Sequence, residues 1–419
     1  MKQKVSLNIA SEIGDLEGVI VHPPGPEVEN MTPESAQRAL YSDVLNLAVL
    51  NDEYAEFEHT LEQMATVFHV QDLLEEVLAQ DAAREMLITA ICTQEQAQEI
   101  IPRLLPLPSQ ALARLLIEGV LMEKDNLTKY LDRERYALQP LHNFFFMRDA
   151  AAVFLDRVLI SRMANRVRKR EALIMEAIFS CHPALQSTLF RPDKANAIDP
   201  LATIEGGDIL VARDDILIVG QSARTSTQGI DGLIDHMKAH SGLSHIIVQE
   251  LPYKPESFIH LDMAFTLLDV DACMVYKPLI LDSNRYLTIH IRIDHGKVTF
   301  QEANDIPEVL EKLGMPLTTI CCGSRTDTYS QDREQWHSGA NFFCVAPGKV
   351  IGYGRNVFTL EALNRHGFEI VPAAALEDNA FDINAHRKVA ITIEGTELAR
   401  GGGGCRCMTL PLRRKKVEW

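Results

Sequence analysis

The chain has 419 residues, of which 46% are hydrophobic and 24% charged, and its formal net charge is −17 at pH 7. This composition is that of a globular protein and excludes a disordered or fibrous chain, while the length would suit roughly two or three domains. The negative charge disfavours nucleic acid and acidic membranes as partners and favours a small cationic or zwitterionic ligand.

The terminal segment 1–8 lacks the long apolar core of a secretory signal, and no stretch approaches the ~18 apolar residues of a membrane span. We therefore expect a cytoplasmic protein. Eight cysteines are scattered along the chain, mostly in apolar surroundings, which predicts reduced, buried thiols rather than disulfides. Cys405 and Cys407 differ from the others because they follow four glycines and flank Arg406.

The first part of the chain predicts a strand and then a long helical region. Residues 16–22 read as the strand, and a proline-rich turn follows at 23–26. From 32 to 136, Leu, Ala, Glu and Gln recur at helical spacing, which predicts an inserted region of about five or six helices. We expect helices to start near Thr32 and Asp81, a loop at 104–109, and a solvated helix face along the acidic stretch 52–62.

From residue 141 onward, one order of elements recurs: strand, turn, strand, helix, strand. Its clearest copy consists of strands 208–212 and 216–220, helix 225–240 and strand 245–249. A second copy consists of strands 341–346 and 350–353, helix 359–365 and strand 368–371. Weaker copies lie at 144–179 and at 261–282, the latter with strands at 272–276 and 279–281.

With the N-terminal strand, these copies make about five ββαβ-like units, and such repeats indicate radial or stacked repetition of one module. The predicted fold is an α/β propeller-like arrangement over residues 1–419, with the helical insertion at 32–136, rather than a doubly wound sheet. No G-x-G-x-x-G motif follows a strand, so we expect no dinucleotide cofactor.

Four polar segments lie at the ends of successive units. An aromatic strand starting at Asn143 ends in Arg148 and Asp149, and Glu205 precedes two glycines and Asp208. His260 and Asp262 are two residues apart, so on a strand they would point the same way. The fourth segment is a basic set in which most side chains should be solvated and one or two could bind a ligand carboxylate: Arg162, Arg166, Arg168, Lys169, Arg170 and Arg224.

Each segment alone also fits a structural role. Asp149 could pair with Arg148, the Glu205 segment could be a turn, and His260 could be a histidine of the core. A propeller would instead bring these loops to one axial end, where paired carboxylates could clamp a guanidinium group. A thiolate from the glycine-rich segment would then face the guanidinium carbon.

Six motifs in a consistent order resemble the arginine deiminase family, whose members are five-fold pseudosymmetric α/β propellers within the guanidine-modifying enzymes. They lie at 146–149, 168–171, 205–208, 260–262, 347–353 and 407–409. The resemblance extends over nearly the whole chain and includes the helical insertion. It implies hydrolysis of L-arginine to L-citrulline and ammonia without a metal or cofactor, and a homo-oligomer.

The resemblance also implies roles for individual residues. Cys407 would be the nucleophile, because the family nucleophile directly precedes Met-Thr or Met-Ser, and His260 the general acid and base. Asp149 and Asp262 would bind the guanidinium nitrogens, with Glu205 orienting His260. The remaining positions would contact the amino-acid end of the substrate: Arg168 and Arg224 at the α-carboxylate, and Asn143 nearby.

The chain departs from the family pattern at two positions. Met147 stands where the family has threonine, and Gly402 stands where many relatives have arginine, although Arg400 is retained. We expect the first difference to change packing, whereas the second puts closure of the loop over the substrate in question. Cys405 has no assigned role.

Two alternatives remain. An agmatine deiminase or an amidinotransferase would keep the guanidinium clamp but change the substrate or the acceptor. Arg168 and Arg224 argue against agmatine, which has no carboxylate. A non-catalytic propeller could instead use Cys405 and Cys407 as a metal site or redox switch, although a closed zinc site needs about four ligands.

Overall fold

In the computed structural model, the described residues are 5–38, 40, 41, 43–191, 201–240, 242–323, 326–377 and 381–419. Residues 1–4 lie outside these ranges, and so does that part of segment 1–8, for which the sequence predicts no secretory signal. Within them, no helix is both long and apolar enough to cross a membrane. All eight cysteines are free thiols, as the sequence predicts.

The strands are β1 Leu16–Val21, β2 Thr66–His69, β3 Val120–Leu121, β4 Tyr136–Leu138, β5 Ala151–Phe154, β6 Arg157–Ile160, β7 Thr188–Phe190, β8 Ile209–Arg213, β9 Ile216–Gln221, β10 Leu243–Glu250, β11 Phe265–Asp269, β12 Ala272–Val275, β13 Thr288–Asp294, β14 Lys297–Ala303, β15 Thr318–Cys321, β16 Phe343–Ala346, β17 Lys349–Tyr353, β18 Glu369–Pro372, β19 Val389–Ile393 and β20 Leu410–Arg414.

The α-helices are α1 Pro26–Glu29, α2 Pro33–Arg38, α3 Leu47–Glu62, α4 Val70–Leu78, α5 Asp81–Glu95, α6 Ile101–Leu104, α7 Ser109–Glu118, α8 Leu127–Leu131, α9 Lys169–Cys181, α10 Thr227–His240, α11 Lys277–Ile280, α12 Ile306–Lys312, α13 Thr328–Trp336, α14 Val357–Arg365 and α15 Ala374–Glu377. The 3₁₀ helices are Gln98–Ile100, Met147–Ala150, Arg166–Arg168, Gly206–Asp208, Glu256–Phe258, Leu261–Met263, Ile383–Ala385 and Leu398–Gly401.

Five sheets of the described chain share one pairing pattern, in which the second strand of an antiparallel pair also has a parallel neighbour. The antiparallel pairs are β20 with β1, β5 with β6, β8 with β9, β11 with β12, and β16 with β17. Their parallel neighbours are β2, β7, β10, β15 and β19, respectively. The structure is therefore a mixed α/β fold built from repeated modules, as the recurring order of elements predicts.

Local predictions fail between β12 and β15. The strand expected at 279–281 is wrong, because α11 occupies Lys277–Ile280 with Pro278 in its first turn, where a missing N–H leaves no hydrogen bond unmade. The hairpin of β13 and β14 was not predicted at all. It pairs with β10 and extends the β8–β10 sheet to five strands.

The region 32–136 contains seven α-helices among its described residues, α2 to α8, where the sequence predicted about five or six. The predicted starts near residues 32 and 81 are confirmed at Pro33 and Asp81. Leu74, Ile91 and Leu116 from this region belong to the same buried apolar cluster as Val158 and Ile178. The helices therefore share a hydrophobic core with the β5–β7 module.

Glu53 corrects the prediction of a solvated acidic face on α3, because its side chain is buried. Its carboxylate accepts hydrogen bonds of 2.8 to 3.0 Å from the backbone N–H groups of Thr396, Glu397 and Leu398. A buried carboxylate that accepts several N–H bonds is favourable only while these donors stay in place. α3 therefore fixes the segment that leads into the glycine-rich loop 401–404.

We predict that Glu53→Gln lowers the free energy of unfolding by about 1–3 kcal/mol, because an amide cannot accept with both terminal atoms. Urea unfolding would measure this loss. Asp52→Asn on the exposed side of the same helix is the matched control and should stay within about 0.5 kcal/mol of wild type. Equal stability of the two variants would contradict the anchoring role of Glu53.

Candidate active site

Six of the eight residues proposed from the sequence line one cavity of about 330 Å³. They are Asn143, Asp149, Arg168, Arg224, His260 and Cys407. The other two, Glu205 and Asp262, are fully buried directly behind this wall, where Glu205 contacts His260 and Asp262 contacts Cys407. The tertiary structure thus brings together residues that are up to 264 positions apart in the sequence, from Asn143 to Cys407.

Cys407 has an exposed fraction of only 3%. Its Sγ lies 3.7 and 3.9 Å from the two carboxylate oxygens of Asp262 and 3.3 Å from Nδ2 of Asn341. Burial, together with the negative charges of Asp262 and Asp149, raises the pKa of the thiol well above its usual value. In the free protein Cys407 is therefore a protonated thiol at neutral pH.

The glycine-rich loop fits tightly against its neighbours. A Cβ atom at Gly403 would lie 2.6 Å from the ring of Phe146, and one at Gly404 would lie 2.6 Å from Oδ1 of Asn341. Both contacts are too close for any other residue, so these glycines let the loop place Cys407 at the cavity wall.

Gly402, where the family resemblance implies an arginine, has φ +86° and open space around it. The nearby Arg400 lines the cavity, but its guanidinium pairs with Asp43 and, at 2.8 Å, with Glu397.

His260 lies between two carboxylates. Its Nδ1 is 3.3 Å from Oδ1 of Asp149, and its Nε2 is 2.9 Å from Oε2 of Glu205. Burial opposes the charged form, but the charge of Asp149 and the hydrogen bond to Glu205 outweigh it and raise the pKa of His260 to about 9. The ring is thus an imidazolium that can donate a proton at neutral pH.

The glycines after Glu205 permit this arrangement. A Cβ at Gly206 would lie 2.2 Å from the carbonyl oxygen of Arg148, and one at Gly207 would lie 2.6 Å from the ring of His260. Only glycine allows the 3₁₀ turn Gly206–Asp208 to pass this close to the histidine. Asp208 accepts hydrogen bonds from the backbone N–H of Leu261 and from the hydroxyl of Ser222. The bond to Leu261 fixes the backbone directly after His260.

The two arginines proposed for the substrate carboxylate have different surroundings. Arg168 pairs with Asp149, and its Nη2 donates to Glu171 at 2.7 Å and to the carbonyl of Phe146 at 2.9 Å. Arg224 is also buried, but its Nη1 has no hydrogen-bond partner among the described residues and lies 3.7 Å from Glu205. Arg224 therefore lines the cavity and keeps one donor without a hydrogen bond to any described residue, whereas Arg168 is largely engaged by the protein.

Arg170 shows that the basic set is less solvated than predicted. It is buried and donates to Glu95 at 2.6 Å and to the carbonyl of Leu116 at 2.8 Å. The prediction of a solvated charge is therefore wrong for Arg170, whereas the burial of Arg168 and Arg224 agrees with the two exceptions that the sequence proposed as ligand-binding arginines. The sequence could not show the burial of Arg170, because its partners lie on distant elements.

Two strand predictions around the site are wrong. The segment from Asn143 to Asp149 is a turn followed by the 3₁₀ helix Met147–Ala150, and Arg148 donates to Thr409 at 3.1 Å instead of pairing with Asp149. Asp262 lies in the 3₁₀ helix Leu261–Met263 rather than on a strand. As a result, His260 and Asp262 do not share one face but contact different partners. Alternation by two predicts a shared direction only in extended backbone.

Three site residues were not proposed from the sequence. Asn341 and Arg406 are buried next to Cys407, and Arg406 pairs with Asp262 at 2.8 Å and with the buried Glu12 at 3.0 Å. Arg406 is adjacent in sequence to Cys407, the nucleophile that the resemblance implies, and this is a usable signal. Glu12 and Asn341 gave none, because they reach the site only through the fold.

Asp149, Glu205 and His260 offer ligand atoms within 4.8 Å of one another, as a metal site would require. However, the two nitrogens of His260 face different carboxylates, so they do not converge on one point. Asp149 is also paired with Arg168. This arrangement suits proton transfer better than metal ligation.

Known proteins with similar sequences cover the whole chain. "Arginine deiminase" of Bacillus cytotoxicus is 31% identical, with 99% of this chain and all of the relative aligned. "Arginine deiminase" of Listeria monocytogenes is 30% identical over the full length of both chains. That of Oenococcus oeni is 28% identical over the full length of both chains.

Solved structures with the same fold are more distant in sequence. SxtG, an amidinotransferase from Microseira wollei, has a TM-score of 0.57 at 15% identity, with 99% of this chain and 98% of that chain covered. The N-terminal domain of the cyanobacterial arginine dihydrolase ArgZ has a TM-score of 0.53 at 13% identity, with 96% and 98% covered. These structures share the mixed α/β fold.

The model of the arginine deiminase family matches residues 37–414, nearly the whole chain. Together with the full-length relatives at 31% identity, this match shows that the chain belongs to the arginine deiminase family.

Proposed function

We propose that the chain is an arginine deiminase, which hydrolyses L-arginine to L-citrulline and ammonia through a covalent S-alkylthiouronium on Cys407. One observation carries the proposal. A single cavity combines a buried thiol, an imidazolium held between two carboxylates, and an arginine with an unpaired donor. The thiol would attack the guanidinium carbon of arginine, and the imidazolium would protonate the leaving ammonia. The arginine would bind the α-carboxylate of the substrate.

Binding would begin with the positive charge of the substrate. Oδ1 of Asp149 has no hydrogen-bond partner among the described residues, so it can accept from a guanidinium nitrogen. Asp262, directly beside Cys407, would be the second acceptor. A guanidinium held there stabilises the thiolate, because the positive charge offsets the two carboxylates that otherwise keep Cys407 protonated.

In the first half-reaction, the Cys407 thiol loses its proton to solvent, and the resulting thiolate attacks the guanidinium carbon and forms a C–S bond. His260, protonated at neutral pH, gives its proton to the departing nitrogen as the C–N bond breaks, and ammonia leaves. In the second half, neutral His260 takes a proton from water, which attacks the thiouronium carbon. The C–S bond then breaks and its electron pair returns to sulfur. The proton of the added hydroxyl passes to this sulfur, which restores the Cys407 thiol as the carbonyl of citrulline forms and citrulline is released.

Arg224 would bind the α-carboxylate, since its unpaired donor lies at the cavity. We keep Arg168 and Asn143 as further contacts to this end of the substrate. The interactions of Arg168 with Asp149 and Glu171 give it a second task, which is to hold Asp149 in place. An available carboxylate-binding arginine favours L-arginine over agmatine.

A metal or redox role for Cys405 and Cys407 has less support. Cys405 is fully buried in an apolar cluster, and burial raises the pKa of its thiol. It is therefore a poor thiolate ligand, because metal binding and thiol exchange both require deprotonation.

The proposal includes a five-bladed α/β propeller, supported by the five sheets with one shared pairing pattern. It places the helical insertion at 32–136 within a single catalytic unit of residues 1–419. A cytoplasmic location is supported by the eight free thiols. We also keep the expectation of a homo-oligomer.

Cys407→Ser should abolish citrulline formation from L-arginine, because a serine hydroxyl at this site is not ionised and is a poor nucleophile. A colorimetric citrulline assay would measure this. Cys405→Ser, two residues away and outside the proposed chemistry, is the matched control and should retain activity. Full activity of the Cys407 variant would refute the proposed nucleophile.

Arg224→Gln should raise KM for L-arginine by about ten- to hundred-fold, because one charge-assisted hydrogen bond to the α-carboxylate is lost. Initial rates with arginine and with agmatine should be compared. Any turnover of agmatine should not change, since it has no carboxylate. The exposed Arg365→Gln serves as control. An unchanged KM for arginine would remove Arg224 from the binding site.

Glu205→Gln should move the alkaline limb of the kcat/KM profile to lower pH by about one unit. In the wild type, His260 loses its proton as pH rises through about 9, and the hydrogen bond to Glu205 helps to keep the proton bound. Without this carboxylate, His260 deprotonates earlier. The profile of kcat/KM against pH tests the sign, and a shift to higher pH would contradict the assignment.

A further inference from the structure

Asn341 is a buried residue that contacts the nucleophile but has no part in the chemistry described above. It precedes β16 and is 2% exposed. Its side chain makes three hydrogen bonds, all to the segments that carry Cys407 and Asp262. Oδ1 accepts from the backbone N–H of Arg406 at 2.9 Å, while Nδ2 donates to the backbone carbonyl of Asp262 at 3.1 Å and to Sγ of Cys407 at 3.3 Å.

The orientation of this amide follows from its neighbours. The backbone N–H of Arg406 can only donate, so the oxygen of Asn341 must face it. The carbonyl of Asp262 can only accept, so the nitrogen must face that side. Both requirements give the same orientation, which points an N–H donor at the sulfur. A flipped amide would place donor against donor and acceptor against acceptor.

The packing around the amide is specific as well. A Cβ atom at Gly404 would lie 2.6 to 2.9 Å from Oδ1, Cβ and Cγ of Asn341. Glycine at this position therefore makes room for the asparagine beside the nucleophile. Gly404, the last glycine of the run, therefore allows the side chain of Asn341 to lie beside Cys407, in addition to its effect on the backbone of the loop.

The charges around the sulfur explain why a neutral donor matters there. Asp262 and Asp149 raise the pKa of Cys407, while Arg406 and a backbone hydrogen bond at Gly404 lower it. The phenol of Tyr353 also lies near Cys407: burial raises the pKa of Tyr353, and the proximity of the Cys407 thiol contributes to this rise. The two carboxylates are needed for the guanidinium, so the thiolate must be stabilised by groups that do not repel the substrate. An amide N–H meets this requirement because it carries no net charge.

We propose that Asn341 is a catalytic residue, whose Nδ2–H donates to the Cys407 sulfur whenever the sulfur carries negative charge. This inference rests on the proposed function. The first such moment is the thiolate before the C–S bond forms. The second is the end of the reaction, when the C–S bond of the second tetrahedral intermediate breaks and the electron pair returns to sulfur. No proton is transferred from the amide in either step.

Two variants separate this role from a structural one. Asn341→Asp keeps an oxygen for the N–H of Arg406 but replaces the donor at the sulfur by an acceptor. Asn341→Leu has similar volume, removes the donor and adds no charge. Thermal melting identifies any variant that fails to fold. The control is Asn364→Leu, at an exposed asparagine whose side chain donates to the backbone carbonyl of Phe368, far from Cys407 in the sequence.

The measurement is the rate of Cys407 alkylation by iodoacetamide at fixed pH, with the modified peptide quantified by mass spectrometry and Cys407→Ser as blank. It needs no arginine, so it tests the inference even if the proposed substrate is wrong. We expect both Asn341 variants to react about three- to ten-fold more slowly, because a smaller thiolate fraction is partly offset by higher nucleophilicity. Their kcat with arginine should fall at least about ten-fold, with KM within about three-fold.

If either folded variant is alkylated at the wild-type rate, the donor role is overturned. Loss of kcat with unchanged alkylation would also overturn it, because it would assign Asn341 to positioning of Arg406 or Asp262. Slow alkylation of the variants combined with a wild type that does not turn over arginine would support Asn341 and refute the substrate.

Discussion

Alternating charge is the constraint on which the site depends. Six buried side chains form a continuous series of opposite charges: Glu171, Arg168, Asp149, His260, Glu205 and Arg224. Each ion taken out of water costs several kcal/mol unless a partner compensates it, so every member is held by its neighbours. At one end of the series burial prevails, and the pKa of Glu171 rises to about 7. In the middle of the series, Asp149 and Glu205 keep His260 protonated.

This constraint also explains the resting state of the thiol. Asp149 and Asp262, which we propose to bind the guanidinium group, raise the pKa of Cys407 and so disfavour its thiolate until a cation binds. In the proposed reaction, binding and activation of the thiol are therefore linked through charge, and the free protein keeps a thiol of low reactivity. In this proposal, Asp149 and Arg224 at the cavity wall suit a molecule that is cationic at one end and anionic at the other.

Backbone geometry then brings the charges together. Short 3₁₀ helices carry Asp149, Asp208 and Asp262, and glycines at 206, 207, 403 and 404 remove the Cβ atoms that would block their approach. The helical region adds a further support, because Glu53 on α3 holds the segment before the glycine-rich loop. Residues that never touch the substrate thereby decide where Cys407 lies.

The sequence alone determined the repeated strand and helix order, the family motifs and the candidate site residues, because hydrophobic periodicity and short motifs are local properties. It misplaced the backbone of the segments that carry Asp149 and Asp262, since local patterns do not report 3₁₀ turns stabilised by distant contacts. Only the tertiary structure decided that Arg168 is engaged while one donor of Arg224 lacks a hydrogen bond within the described chain, and that Asn341 lies beside Cys407 and Glu12 beside Arg406. These outcomes depend on contacts between residues hundreds of positions apart, such as Glu12 with Arg406, which no local sequence pattern encodes.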